Sequence, residues 1–184
     1  MSKKVITGRV RASYVNVFRP RTNDLSGKEE YSMMVIVPKS DKKTVSALKD
    51  AAQAAADERW SGNKPKGIRM PLRDADREAD DAGEPVQAHL KGCYFMNVKS
   101  NDKPGLVDKN RMEVIDANEF QSGDYCRVSL NAFSYDVNGN RGVSFGLQNV
   151  QVLDKGEPLG SKARAEDEFD DWSDDDESGE DWAA

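Results

Sequence analysis

Residues 124–153, DYCRVSLNAFSYDVNGNRGVSFGLQNVQVL, constrain the fold of this chain more than any other stretch. Apolar and polar side chains alternate on both sides of Asn138-Gly139-Asn140. Alternation places successive side chains on opposite faces of a strand, and an Asn-Gly pair supplies the positive φ angles of a tight hairpin. Cys126, Val128, Leu130 and Ala132 therefore form one core face, joined across the turn by Val143, Phe145 and Leu147. The opposite face presents Tyr125, Arg127, Ser129, Asn131, Phe133 and Tyr135, with Arg141 at the turn.

The remaining segments can be ordered around this hairpin. Residues 4–18 read as a long strand, rich in β-branched and aromatic types, followed by a turn-rich break from Arg19-Pro20-Arg21 to Gly27. A second strand covers 29–37 and stops at Pro38, with Met33 and Met34 assigned to the core. Residues 40–60 predict a helix with Ser40 as its N-cap and Val45, Leu48, Ala52, Ala55 and Trp60 on one face. Glycine, proline and mixed charge make 61–91 a loop-rich insert, partly helical in 73–82. Residues 92–99 form a further strand, with Tyr94, Met96 and Val98 inward and Phe95, Asn97 and Lys99 outward; shorter extended pieces fall near 106–107 and 112–115. The expected fold class is mainly β with one packed helix. Five strands in a Greek-key barrel of the oligonucleotide-binding (OB) type meet that count. The expected organisation is a body over 1–160, containing the 61–91 insert, and a disordered acidic tail over 161–184.

Charge separates the tail from the body. Of 33 acidic residues in the chain, eleven lie between Glu166 and Ala184, where there is no basic residue. That leaves 22 acidic against 27 basic residues over 1–164, a net of +5, although the whole chain carries −6. A basic body with an acidic appendage points to a polyanionic partner.

Catalytic and metal chemistry find little support. No glycine-rich phosphate loop and no Ser/His/Asp or Cys/His set is present. His89 is the sole histidine, and with the separated Cys93 and Cys126 it cannot provide the four closely paired ligands of a structural zinc site. No metal or cofactor is expected, and both cysteines read as buried free thiols of a reducing compartment. Asp74, Asp76, Asp80 and Asp81 could hold Mg²⁺ in a metal-dependent nuclease, but they alternate with Arg73, Arg77 and Glu78 as a solvated loop would. No run approaches the ~20 apolar residues of a membrane span.

Binding chemistry is better represented. Single-stranded nucleic acid needs cations for phosphates and flat rings for bases. Arg127, Asn131, Phe133, Tyr135 and Arg141 supply both on one hairpin, and Phe95 and Lys99 add to them. On the first strand Arg9 and Arg11 share a face, while Tyr14, Phe18, Arg19 and Arg21 lie at its far end. These thirteen residues are the candidate single-stranded-DNA (ssDNA) site. A different class of reading, an acidic-tail DNA mimic that blocks a DNA-binding enzyme, predicts a body without affinity for oligonucleotides.

The block LNAFSYDVNGNRGVSFGLQNVQVLDKGEPL, 130–159, closely resembles the C-terminal signature of a family of tailed-phage ssDNA-binding proteins with an OB fold. GRVRASYVNVFRPR and EEYSMMVIVPKSDKKTVSALKDAAQAA are similar to the start of that family. The resemblance implies a non-enzymatic protein that coats single strands in phage replication and recombination, in the cytoplasm of the infected bacterial host. It also implies that the acidic tail contacts replication or recombination proteins and competes with DNA for the groove. Phe169, Trp172 and Trp182 would then act as surrogate bases on a surrogate phosphate backbone. Trp182 is followed by Ala183 and Ala184, whereas many such tails finish on an aromatic residue.

Overall fold

The computed structural model describes residues 3–159 and 171–172. Its strands are β1 (Lys4–Ile6), β2 (Val10–Thr22), β3 (Glu29–Pro38), β4 (Arg73–Asp74), β5 (Cys93–Ser100), β6 (Gly105–Val107), β7 (Tyr125–Val137) and β8 (Asn140–Asp154); its helices are α1 (Lys42–Arg59) and α2 (Ala75–Ala82). Strands β2, β3, β5, β8 and β7 close on one another. Every neighbouring pair is antiparallel except β5–β8, which is parallel, and β7 completes the ring by pairing with β2. This is a five-stranded Greek-key barrel of the OB type. Closure removes the sheet edges that would otherwise present unpaired backbone.

The hairpin behaves as its sequence requires. Asn138 and Gly139 both have positive φ, 51° and 81°, and a two-residue turn joins β7 to β8. Cys126, Val128, Leu130, Ala132, Val143, Phe145 and Leu147 are all buried in the barrel core. Phe145 is fully enclosed, which contributes about 1.5–3 kcal/mol relative to an exposed ring.

The first strand differs from expectation in two ways. It breaks at Thr7–Arg9, where the Thr7 hydroxyl accepts from Val128 N at 3.0 Å and Gly8 N donates to Thr44 Oγ1 at 2.9 Å. A β-carbon at Gly8 would lie 2.7 Å from Asp41 Oδ2, so glycine lets the start of α1 dock on the break. Beyond it, β2 runs straight through Arg19-Pro20-Arg21 to Thr22 and pairs with Glu29 and Glu30, making a projecting arm where a loop was expected. Its residues 19–22 are exposed, so proline's missing N–H costs little there.

Helix α1 buries Thr44, Val45, Leu48, Ala51, Ala52, Ala55 and Ala56 against the barrel. The alanines permit close approach. Its N-cap is Asp41, not Ser40: the Asp41 carboxylate accepts from Thr44 N at 3.2 Å. The insert is more ordered than its composition suggests. β4 pairs with β5, and α2 starts on the Asp74 N-cap and ends on Gly83, φ 70°. Together they cover a second apolar cluster of Ile36, Ala75 and Phe95, on the outer side of β3 and β5. Residues 112–115 contribute only a bridge, Val107 to Glu113. Cys126 is buried as expected, whereas Cys93 is only half-buried.

Candidate nucleic-acid interface

The outer surface of β3 and β5 is divided. The insert roofs the half around Ile36 and Phe95; the other half is open. There Tyr14, Ser32, Asn97, Lys99 and Ser144 line a cleft of about 320 Å³. Strand register explains the grouping: Asn16 pairs with Ser32, Ser32 with Lys99, Lys99 with Gly146, Gly146 with Asn131, and Asn131 with Lys4. A polar and basic row thus crosses six strands. Two rings border it. Tyr14 is 69% exposed in the cleft, and Phe133, 43% exposed, flanks Gly146, whose β-carbon would lie 3.8 Å from Phe133 Cε1.

Two arms rise from the row. One is the β2–β3 arm carrying exposed Arg19 and Arg21. The other is the β7–β8 arm, where Tyr135 faces Gly142 and Arg141 Nε pairs with Asp136 at 3.2 Å. Among the described residues, Lys99 Nζ pairs at the row's edge with Glu30 Oε1 at 3.6 Å. The ion pair is loose and half-exposed, so it is weak and yields readily to a phosphate.

Five of the thirteen candidates stand elsewhere. Phe95 faces outward as its alternation predicts, but it is only 7% exposed, under the Arg73 guanidinium at 4.6 Å from the ring centre. It is therefore corrected from a surface ring to the floor of the insert. Arg9 and Arg11 stack on Tyr125 at 4.3 and 5.5 Å. Arg9 is also paired with Asp154, and Arg11 donates to the carbonyls of Gly123 and Glu157 at 2.9 and 2.7 Å. Arg127 Nε donates to the Thr7 carbonyl at 3.0 Å and braces the β1–β2 break. Phe18 is half-buried against the core. The reading also passed over Ser32 and Ser144. Both alternate with buried neighbours, Met33 on one strand and Val143 and Phe145 on the other, and that pattern was available in the sequence.

Two of the four carboxylates of the nuclease reading, Asp74 and Asp76, are engaged. Lys39 Nζ bonds Asp74 Oδ1 at 2.7 Å and Asp76 Oδ2 at 2.9 Å, and Gly92 N donates to Asp76. Those bonds from Lys39 hold both carboxyls below their ordinary range. Among the described residues, no three His, Cys, Asp or Glu side chains converge to hold a metal ion. His89 sits beside Arg9, Arg11 and Cys93, and burial, with the Arg11 charge, pushes it below its ordinary value. Of the tail aromatics, Trp172 is exposed, while Phe169 and Trp182 lie outside the described residues. No helix among the described residues is long and apolar enough to cross a membrane.

Solved structures share the fold. The single-stranded DNA-binding protein from bacteriophage Enc34 in complex with ssDNA has a TM-score of 0.74 at 16% identity, covering 86% of this chain and 90% of that one. Another structure of the single-stranded DNA-binding protein from bacteriophage Enc34 gives a TM-score of 0.69 at 17% identity, over 91% and 90%. For gp2.5, a single-stranded DNA binding protein encoded by bacteriophage T7, the TM-score is 0.59 at 15% identity, over 89% and 98%. No curated protein matches the chain by sequence. The family model of the Enterobacter phage Enc34 ssDNA-binding protein, however, matches residues 3–179, and the chain belongs to that family.

Proposed function

We propose that this chain binds single-stranded DNA without sequence preference, along the row from Asn16 to Lys4. The observation that carries the reading is the half-covered outer face of β3 and β5. An insert roofs one half, and the other keeps Lys99, Asn97, Ser32 and Ser144 open between Tyr14 and Phe133. Such a strip neutralises phosphates, offers rings to bases and has no helix suited to a duplex groove. Arg19 and Arg21 on one arm, and Tyr135 and Arg141 on the other, extend the contact beyond the barrel wall. Arg9, Arg11, Phe18, Phe95 and Arg127 support the site as structural residues.

The function is non-catalytic: the protein coats and protects exposed strands during phage replication and recombination in the cytoplasm of the infected host. Residues 1–160 form the DNA-binding body with its 61–91 insert. Residues 161–184 form the acidic tail, which competes for the row and recruits replication or recombination proteins. The family model and the fold shared with an Enc34 protein solved with ssDNA support this reading.

Titration of full-length and 1–164 protein with oligo(dT) and with duplex, at two salt concentrations, tests it. Trp60 is the sole tryptophan of the truncation, so its fluorescence reports one place. The expected result is oligo(dT) binding that weakens with salt, with a log–log slope of about −0.7 per neutralised phosphate. A 1–164 body that binds no oligonucleotide at low salt would overturn the reading and favour the DNA mimic.

A further inference from the structure

We propose that the β-bulge at Ser13–Asn16 is a presentation device, which holds Tyr14 in a strained conformation so that its ring serves as the base-stacking platform of the cleft. The inference rests on the ssDNA reading above and adds which ring does the stacking and which residues position it.

The strand itself shows the anomaly. Val10 and Ala12 point into the barrel, so alternation would send Tyr14 inward as well. Farther along, the buried residue is Val17, and the parity has changed. The register shows where: Ser13 pairs with Met34 and Asn16 with Ser32, so Tyr14 and Val15 both stand opposite Met33. One extra residue has turned a core position into a cleft position, as bulges do when they re-aim a side chain.

The conformation at the bulge does not suit a tyrosine. Tyr14 has φ 47°, in the left-handed region that a residue with a β-carbon enters at a cost and that bulges usually give to glycine. The ring gains no burial in return, because it is 69% exposed. Two polar side chains stabilise the distorted backbone. Ser122 Oγ accepts from Val15 N at 3.2 Å, and Asn16 Nδ2 donates to the Tyr14 carbonyl at 3.1 Å. Strain that the fold does not need, at an aromatic exposed in the cleft, is the signature of a residue kept for contact. Ser122 and Asn16 are accordingly positioning residues.

Three variants test this by oligo(dT) affinity and thermal melting. Tyr14→Gly removes ring and strain together; the expected result is an unchanged or higher Tm and an affinity lower by about five- to 150-fold, the range of one lost stacking contact. Tyr14→Phe keeps the ring and should keep the parental affinity. Ser122→Ala should weaken binding in the parent but cause no further loss in the Tyr14→Gly background. Parental affinity in Tyr14→Gly would overturn the platform, and a Tm several degrees lower would overturn the strain. An equal effect of Ser122→Ala in both backgrounds would overturn its positioning role. If the parent protein bound no oligo(dT) at all, the ssDNA reading would fail rather than the bulge.

Discussion

Tyr135 lies over Gly142 across the β7–β8 arm. A β-carbon at Gly142 would stand 2.5 Å from Tyr135 Oη, 2.8 Å from its Cζ and 2.6 Å from the Arg69 carbonyl oxygen. The glycine makes room for the ring on one side and for an added backbone segment on the other, since Arg69 N donates to Arg141 O and Val143 N to Arg69 O. Gly142→Ala should therefore displace Tyr135 and push Arg69 off the arm, costing about 1–3 kcal/mol as overpacking does. Urea denaturation measures the loss. A midpoint equal to the parent's would mean that the arm gives way without strain.

Lys99 occupies the middle of the polar row, restrained among the described residues by Glu30 at 3.6 Å. If it neutralises a phosphate, Lys99→Gln lowers ssDNA affinity and makes the salt slope shallower by about 0.7. Glu30→Gln should have the opposite effect on affinity, because it frees the ammonium from its carboxylate. Anisotropy titrations across a salt series separate the two. A slope that is unchanged in Lys99→Gln would remove Lys99 from the phosphate path.

Much of this arrangement was legible in the sequence, and the exceptions share a cause. Alternation identified the core residues of the hairpin from Cys126 to Leu147 and the outward placement of Asn131 and Phe133, and alternation in 92–99 that of Asn97 and Lys99. It missed buried Val150, which lies past the irregularity at Ser129–Leu130. Alternation could not tell that outward Phe95 is roofed, because the roof comes from Arg73 and Ala75, which neighbour Phe95 only through the β4–β5 pairing. Nor could it see the bulge at Tyr14. A single inserted residue leaves the composition of the strand unchanged and inverts its faces. Arg9, Arg11 and Arg127 have internal contacts that the sequence does not announce, for a third reason. An arginine that stacks on Tyr125 or braces a strand break has the same sequence signature as one that waits for phosphate.

The insert depends on a charge lock whose pH range can be derived. In the folded protein Asp74 and Asp76 are held below their ordinary value of 3.8 by the bonds from Lys39, which is itself raised from 10.5. Depressed carboxyls contribute stability that is complete above the ordinary carboxylate value and fades as pH falls through the folded values; the raised lysine loses its contribution only above its ordinary value. The lock is therefore closed from about pH 4 to beyond pH 10. Below that range amide exchange in 73–92 should accelerate before exchange in the barrel strands. Asp76→Asn should show the faster exchange already at pH 6. Insert and barrel amides opening together at pH 3 would mean that the lock contributes nothing.

The segment that precedes the acidic tail is held at a defined place. Asp124, only 3% exposed, accepts from Lys155 Nζ at 3.0 Å and Gly156 N at 3.1 Å, and Arg11 holds the Glu157 carbonyl at 2.7 Å. A β-carbon at Gly156 would lie 1.9 Å from the Gly123 carbonyl oxygen, so the strap is pressed against the barrel. It ends with Leu159 packed in the cluster that includes Met34, and Met34 pairs with Asn97 of the cleft. If the acidic segment that follows Leu159 in the chain competes for the row, its tether sets a local concentration of millimolar order. Removing 165–184 should accordingly tighten oligo(dT) binding, most strongly at low salt, where acid–base contacts are least screened. The aromatic residues decide how the competition works. If rings occupy base positions while acids occupy phosphate positions, changing Phe169, Trp172 and Trp182 to Ser should recover most of the truncation's gain with every acidic residue retained. That recovery is the expected outcome. Affinity equal to the full-length parent's would assign the whole competition to charge and leave the three rings to a protein partner.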